Sequence, residues 1–291
     1  MASTSSKTEK ESLEENLSFP KTALTALGNN FAHLFKSENG TVEPRKHANP
    51  SIIPKGHPLK LYYGFEALRA LSHFERVVLQ MNHYSYQDLA LLKDQGVTPL
   101  AYISLGEDFA QGGKWQRQQC NQDWQTHYVK ATHPLWQKKL LGEAKAALDK
   151  GFQGFLLDNL DVVDLFPEDR SALLDLIALI SKLLAAHPKR YLLVNRGFSL
   201  FPEMLGYLDG FIFESFSVRW QVGGGARALS ESDLAWTSLK AQELLRLKTQ
   251  KDFDLYALDY CHEGKLSQFA RFRALQHQMI HLSSNRELTL I

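Results

Sequence analysis

Short apolar runs alternate with longer segments of helical period through most of this chain, from about residue 57 to the end. The segments between the runs repeat apolar residues every three or four positions, as amphipathic helices do. Strands and helices that alternate in this way are typical of βα units, whose strands form a parallel sheet. The pattern predicts eight strands, at residues 59–64, 76–80, 98–105, 153–158, 190–195, 209–214, 254–259 and 278–282.

Helices are predicted in the intervals, at residues 66–74, 85–95, 134–150, 170–186, 201–208, 231–249 and 265–277. Eight strands with intervening helices predict an α/β fold, a single (β/α)8 TIM-type barrel over residues 57–291. Residues 1–56 differ in composition, because Ser, Thr, Glu and Lys dominate their start and prolines interrupt the rest. This composition favours a flexible, poorly structured leader or linker.

The ends of the predicted strands carry polar side chains on one face. Side chains alternate across a strand, so those that face the barrel lumen share parity. With Leu156 and Asp158 taken as lumen-facing, the equivalent residues near the ends of seven of the eight strands are polar or phenolic. Because the carboxyl ends of barrel strands meet at one mouth, these groups should converge on a ligand there. They are Tyr63, Gln80, Tyr102, Ser104, Asp158, Asn195, Glu214 and Asp259.

Two carboxylates stand out among these groups as a candidate catalytic pair. Asp158 and Glu214 would end the fourth and sixth strands, on opposite sides of the mouth. Glycoside hydrolysis uses two carboxyl groups in this way: one protonates the leaving oxygen, and the other attacks the anomeric carbon or activates water. Glu107 is a reserve candidate for the pair, and Asp161 is expected to orient Asp158 or to contact substrate.

Tryptophan and glycine patterns add a binding surface but no nucleotide site. Trp220 follows the sixth strand, and three more tryptophans lie in or after the long segment behind strand three, namely Trp115, Trp124 and Trp136. Exposed aromatic faces at a barrel mouth suit the C–H faces of sugar rings, although each of these residues could equally be packed in the core. The glycine pairs and triplets lack the lysine and the context of a phosphate-binding loop.

Composition limits the partners of the chain. Lys and Arg total 33 against 32 Asp and Glu, so nothing indicates nucleic acid or an anionic membrane as a partner. No stretch is long enough for a membrane span, and the N-terminus lacks the pattern of a secretory signal. Cys120 and Cys261 could pair or stay free, and histidine spacing predicts no metal site. We expect a monomer.

Four segments, in order, together resemble glycoside hydrolase family 114, the endo-α-1,4-polygalactosaminidases. They are residues 62–64 (YYG), 101–107 (AYISLGE), 154–161 (GFLLDNLD) and 213–216 (FESF). The resemblance extends from about Leu59 to the C-terminus, where residues 284–288 (SNREL) are similar to the family's closing segment. It implies a (β/α)8 barrel that cleaves partly N-acetylated α-1,4-linked galactosamine polymers without a cofactor.

The resemblance also implies roles for particular residues. Asp158 matches the family's nucleophile and Glu214 its general acid/base, which predicts cleavage with retention. Tyr63, Tyr102, Asn195 and Asp259 would line the subsites, and Glu107, Asp161 and Asp259 would pair with substrate ammonium groups. Members are commonly exported, so the resemblance implies an extracellular or cell-envelope location, although this chain shows no signal.

Two other functions stay open on the sequence. A hydrolase of another α-linked polysaccharide could use the same frame, because a fold does not fix its substrate. A non-catalytic carbohydrate-binding barrel would keep the aromatic walls without turnover. The presence of both Asp158 and Glu214 favours an enzyme.

Overall fold

A barrel of eight parallel strands forms the centre of the computed structural model, which describes residues 57–110, 112–187, 189–221, 223 and 225–291. The strands pair in chain order, which confirms the predicted fold class. The predicted leader, residues 1–56, lies outside the described residues. The barrel strands are β1 His57–Tyr62, β2 Phe74–Leu79, β3 Thr98–Ser104, β4 Gly154–Asp158, β5 Tyr191–Asn195, β6 Gly210–Glu214, β7 Asp254–Asp259 and β8 Ile280–Ser283.

The barrel is nearly closed between its first and last strands. The Lys60 ammonium donates to the Ser283 carbonyl at 3.5 Å, and the Tyr63 amide donates to the Leu288 carbonyl at 2.7 Å. The C-terminal segment therefore lies along β1 and brings residues 284–288 to the mouth of the barrel.

Helices cover the outside of the sheet, because the strands of a parallel barrel are buried on both faces. They are α1 Leu68–Leu71, α2 Tyr86–Asp94, α3 Pro134–Lys150, α4 Val162–Leu165, α5 Arg170–Leu184, α6 Glu231–Lys248 and α7 Gly264–Gln276. α3 has the predicted bounds because Pro134 starts it and Gly151, at φ 113°, ends it in the left-handed region. The prediction of a helix at 201–208 is wrong: this region holds one short 3₁₀ turn, Glu203–Gly206, and a second one, Phe198–Leu200, precedes it.

The side chains inside the barrel confirm the predicted lumen face for six strands and correct it for β7. Leu61, Val78, Tyr102, Leu156, Leu193 and Ile212 pack in one lumen cluster. On β7, however, Tyr256 and Leu258 join that cluster, as does Tyr260 just after the strand, whereas Ala257 belongs to the outer core. The prediction for Ala257 and Asp259 is therefore out of phase by one residue. Both faces of β7 are buried, so its apolar alternation does not reveal which face turns inward.

Two insertions stand at the carboxyl ends of the strands. After β3 the chain forms a three-stranded antiparallel sheet, Glu107–Asp108, Gln116–Asn121 and Thr126–Val129. Arg117 fixes this sheet through a 2.8 Å ion pair with Asp169, which is fully buried. After β6 a hairpin joins Val218–Gln221 to Gly225–Ala228. Among the described residues, no helix is long and apolar enough to cross a membrane.

Candidate active site

A cleft at the carboxyl ends of the barrel strands consists of two adjoining cavities of about 270 and 380 Å³. Both cavities are lined by the same five residues, so they are two halves of one groove that meet there. These shared residues are Glu107, Asp158, Asn159, Asn195 and Glu214.

The two halves differ in their remaining side chains. The smaller one, here called the aromatic half, has five rings in its wall and also contains Arg286 and Glu287; the rings are Tyr63, Tyr102, Phe109, Trp124 and Tyr260. The larger one, here called the acidic half, adds two carboxylates, one arginine and one ring, namely Asp161, Asp164, Arg196 and Tyr128.

Asn195 links the two candidate catalytic carboxylates at the junction of the halves. Its Nδ2 donates to Asp158 Oδ1 at 2.8 Å and to Glu214 Oε2 at 2.6 Å. β4, β5 and β6 are neighbours in the sheet, so the ends of these strands place the three side chains side by side. The Asn195 Oδ1 atom is buried and accepts no hydrogen bond among the described residues.

Tyr260 is a neighbour of Glu214 that the sequence did not reveal. Its hydroxyl donates to Glu214 Oε1, so each oxygen of Glu214 accepts one hydrogen bond from a different strand end. Burial and the nearby Glu214 charge raise the pKa of Tyr260 well above its usual value. The phenol therefore remains a donor at neutral pH.

The environment of Asp158 opposes its negative charge. Burial, followed by the charge of Glu214, raises the pKa of Asp158 to about 6. Hydrogen bonds from Asn195 and from the Asn159 amide, the latter at 2.8 Å, act in the other direction by stabilising the carboxylate. The two carboxylates are therefore close enough that the charge of one affects the proton affinity of the other.

The backbone turns in the same way after each of the three strand-end residues. Asn159, Arg196 and Ser215 follow Asp158, Asn195 and Glu214, and they have φ angles of 58°, 56° and 53°. Non-glycine residues adopt this left-handed region at a cost of roughly 1 kcal/mol or more. Backbone strain of this kind clusters at functional sites, where the surrounding structure maintains it.

Two further predicted acids reach the cleft but already have partners. Asp161 accepts hydrogen bonds from the Arg196 guanidinium and, at 2.7 Å, from the Gly197 amide. Glu107 is buried and accepts from Asn121 at 3.1 Å and from Thr126. Protein donors thus compete with any substrate ammonium group for these two carboxylates.

Other predicted site residues divide into those that line the cleft and those that do not. Tyr63, Gln80 and Tyr102 line its aromatic half. Three other predicted site residues, all within the described ranges, line neither half: Ser104, Asp259 and Trp220. The Ser104 hydroxyl donates to the Glu107 carbonyl at 2.8 Å instead.

Asp259 and the tryptophans have different surroundings from those expected. Asp259 is fully buried and accepts hydrogen bonds from two backbone amides, which corrects its placement at the mouth. Trp220 lies on the hairpin after β6, and Trp136 is buried in the core. Trp124 alone of the four tryptophans lines the cleft.

Within the described ranges, no group of three or more His, Cys, Asp or Glu side chains could hold a metal ion. Cys120 and Cys261 are both free thiols, and Cys261 is buried.

Comparison with known proteins places this cleft in a family. The glycoside hydrolase domain of PelA from Pseudomonas aeruginosa superposes with a TM-score of 0.70 and 26% identity, over 80% of this chain and 96% of that domain. Aspergillus fumigatus Ega3, in a complex with galactosamine, shares the fold with a TM-score of 0.60 and 12% identity, over 80% of this chain and 91% of that one.

A sequence relative covers a smaller part. The uncharacterized protein MJ1477 of Methanocaldococcus jannaschii is 31% identical over 97 residues, which are 30% of this chain and 28% of that protein's length. The model of the glycoside hydrolase family GH114 matches residues 60–273. This range includes the two insertions and the carboxyl ends of β1 to β7, and it therefore contains most of the residues that line the cleft. The chain belongs to glycoside hydrolase family GH114.

Proposed function

We propose that this glycoside hydrolase cleaves α-1,4-linked galactosamine and N-acetylgalactosamine polysaccharides at internal bonds, with retention of configuration. In this proposal Asp158 is the nucleophile and Glu214 the general acid/base. The observation that carries it is the single Asn195 nitrogen hydrogen-bonded to both carboxylates, at 2.8 and 2.6 Å.

The shared nitrogen limits the separation of the two carboxylates. The two bonded oxygens can be no farther apart than the sum of those hydrogen bonds. Retaining glycosidases have carboxyl groups about 5–5.5 Å apart, whereas inverting enzymes need roughly 6.5–9.5 Å to admit a water molecule. The close approach supports direct attack by one carboxylate on the sugar.

The proton affinity of Asp158 is compatible with its proposed role. Nucleophilic attack requires an ionised carboxylate, and Asp158, with its pKa near 6, is mostly ionised at neutral pH. In the proposed role Glu214 donates a proton to the leaving oxygen and later removes one from the attacking water.

The shape of the cleft supports internal cleavage. The groove continues on both sides of the carboxylates, with the aromatic half on one side and the acidic half on the other. A polymer can therefore extend in both directions from the bond that is cut. Asp164, which is exposed in the acidic half, can attract an ammonium group, and the galactosamine complex of Ega3 agrees with such a substrate.

The proposal is tested by incubating partly deacetylated α-1,4-galactosaminogalactan with the wild type, Asp158→Asn and Glu214→Gln. Release of reducing ends and product masses would be measured, with Asp94→Asn as a control that removes an exposed charge on α2 outside the cleft. We expect oligomer products from the wild type and the control only. Binding without release by all proteins would indicate a carbohydrate-binding barrel, and neither binding nor release would indicate another sugar.

A further inference from the structure

Asp259, the last residue of β7, holds the backbone of the loop that follows Glu214. Its Oδ1 atom accepts hydrogen bonds from the Ser217 amide at 2.6 Å and from the Val218 amide at 2.7 Å. Hydrogen bonds that involve a charged group are roughly twice as strong as neutral ones. The carboxylate has no exposed surface, so water does not compete for these bonds.

Arg273 of α7 holds the same loop from another direction. Its Nη1 donates to the Phe216 carbonyl at 2.5 Å, and its Nη2 donates to the Leu234 carbonyl of α6 at 2.6 Å. This guanidinium is itself buried, and the charge of Asp259 opposes the lowering of its pKa by burial. On the remaining side, His281 Nε2 lies 3.5 Å from Asp259 Oδ2.

Tyr260, the next residue along the chain, reaches Glu214 itself. Because side chains alternate along a strand, Asp259 points to the outer layer while Tyr260 points into the lumen and donates to Glu214 Oε1. Asp259, at the end of β7, and Tyr260, just after it, thus fix the loop that follows Glu214 and the carboxylate of Glu214 itself. Ser215, between these two anchors, has the strained φ of 53°.

We propose that Asp259 is a positioning residue, which holds the loop 215–218 so that the Glu214 carboxyl points at the leaving oxygen. This inference rests on the proposed role of Glu214 as general acid. Asp259 never contacts the substrate and acts only through the loop. Since misplacement of a reacting group by about 1 Å can cost about 100-fold in rate, the loss of this anchor should appear in kcat.

The dependence of the rate on the leaving group separates positioning from general stability. An activated aryl group departs without a proton, whereas a sugar leaving group needs the acid. In Asp259→Asn we expect kcat for the polymer to fall about 10- to 100-fold, with KM unchanged. With an aryl α-galactosaminide oligomer the kcat/KM of the same variant should fall less than about threefold, because kcat/KM reports only formation of the glycosyl-enzyme, which needs no acid when the leaving group is activated.

Asp169→Asn is the matched control, because Asp169 is also a fully buried aspartate that anchors a loop, but it pairs with Arg117 and anchors the insertion after β3. Its kcat/KM values for the two substrates should change in equal proportion. Arg273→Lys keeps the charge but loses the forked contacts, so it should repeat the leaving-group dependence more weakly and serves if Asp259→Asn does not fold.

Glu214→Gln, measured beside these variants, separates the two possible failures. If Glu214→Gln shows no leaving-group dependence, the proposed role of Glu214 is wrong and the inference is lost with it. If Glu214→Gln does show it while Asp259→Asn and Arg273→Lys lose rate equally on both substrates, or not at all, only the positioning role is overturned.

Discussion

The aromatic half and the acidic half of the cleft present different chemistry to one polysaccharide chain. In the aromatic half Trp124 is 45% exposed, and the Arg286 guanidinium lies 4.6 Å from the centroid of its ring. Arg286 and Glu287 cancel in charge there. In the acidic half, Arg196 is paired with Asp161, which leaves Asp164 with a hydroxyl partner, Ser199, and a net negative charge around it.

Under the proposed function, the two sides of the cut bond are recognised by different forces. Stacking on rings depends on the apolar faces of a sugar and varies little with salt, whereas attraction to a carboxylate weakens as ionic strength rises. We therefore expect the aromatic half to accept N-acetylated units and the acidic half to favour units with free ammonium groups.

The largest effect should come from the carboxylates at which the halves meet. Glu214→Gln should lower kcat for the polymer by about 10²–10⁴-fold, because the leaving sugar loses its proton donor. On an activated aryl oligomer the variant should keep most of its kcat/KM, which reports formation of the glycosyl-enzyme, whereas its kcat should fall because hydrolysis of that intermediate needs Glu214 as the base. On the aryl oligomer the acidic limb of the wild-type pH profile should lie near pH 6, and that of Glu214→Gln should lie at a lower pH. The reason is that the variant lacks the charge that raises the pKa of Asp158.

The acidic limb should move to lower pH because the nucleophile Asp158 must be ionised to attack. Wild-type activity is lost as pH falls through the pKa of Asp158, and a lower pKa moves this loss to lower pH. A pH–rate profile of both proteins checks this, and an unmoved or raised limb in Glu214→Gln would contradict the coupling of the two carboxylates.

A smaller effect should follow from removing the exposed ring of the aromatic half. Trp124→Ala should raise KM for oligomers about 10-fold at any salt concentration, which corresponds to about 1.4 kcal/mol of binding. Trp220→Ala is the control, because Trp220 is similarly exposed, at 37%, but does not line the cleft. Equal changes in the two variants would remove the distinction between the halves.

A still smaller, salt-dependent effect is expected in the acidic half. Asp164→Asn should raise KM for deacetylated oligomers about threefold at low ionic strength and leave it unchanged at about 1 M salt, where charges are screened beyond roughly 3 Å. Asp94→Asn changes the net charge equally and should have no effect. An equal effect of Asp164→Asn on fully acetylated oligomers would show that charge is not what this half recognises.

The last prediction concerns stability rather than activity, at one of the turns that support both halves. Ser215 has a left-handed φ, which glycine adopts freely and alanine does not. Ser215→Gly should therefore be about 1 kcal/mol more stable than Ser215→Ala in urea unfolding. The opposite order would mean that the turn after Glu214 is not strained.

The sequence was sufficient to predict the barrel and the position of its two acids at one mouth, because both follow from periodicity. Apolar runs that end in Asp158 and Glu214 place these residues at the same face of any parallel barrel, whatever the bounds of the helices. Asn195 could be added by the same alternation. The positions of these three residues at strand ends therefore bring them together although they are far apart in the sequence.

Other parts of the site depend on contacts that periodicity does not encode. The sequence predicted that Asp259 faces the lumen, whereas Tyr260 does so in the structure. Both faces of β7 are buried, so either assignment of its faces fits the apolar pattern. The pairing of Asp161 with Arg196 requires two loops from different strands to meet. The insertion that brings Trp124 to the cleft has few apolar residues, and its pairing gave no strand signal in the sequence.

The most direct test of the central claim is the configuration of the sugar released in the first turnovers. Proton NMR of a wild-type digest of α-1,4-linked galactosamine oligomers, recorded before mutarotation, would report the anomer of each new reducing end. A carboxylate pair bridged by one nitrogen predicts the α-anomer first, from two successive displacements at the same carbon. Initial release of the β-anomer would contradict the assignment of Asp158 as nucleophile.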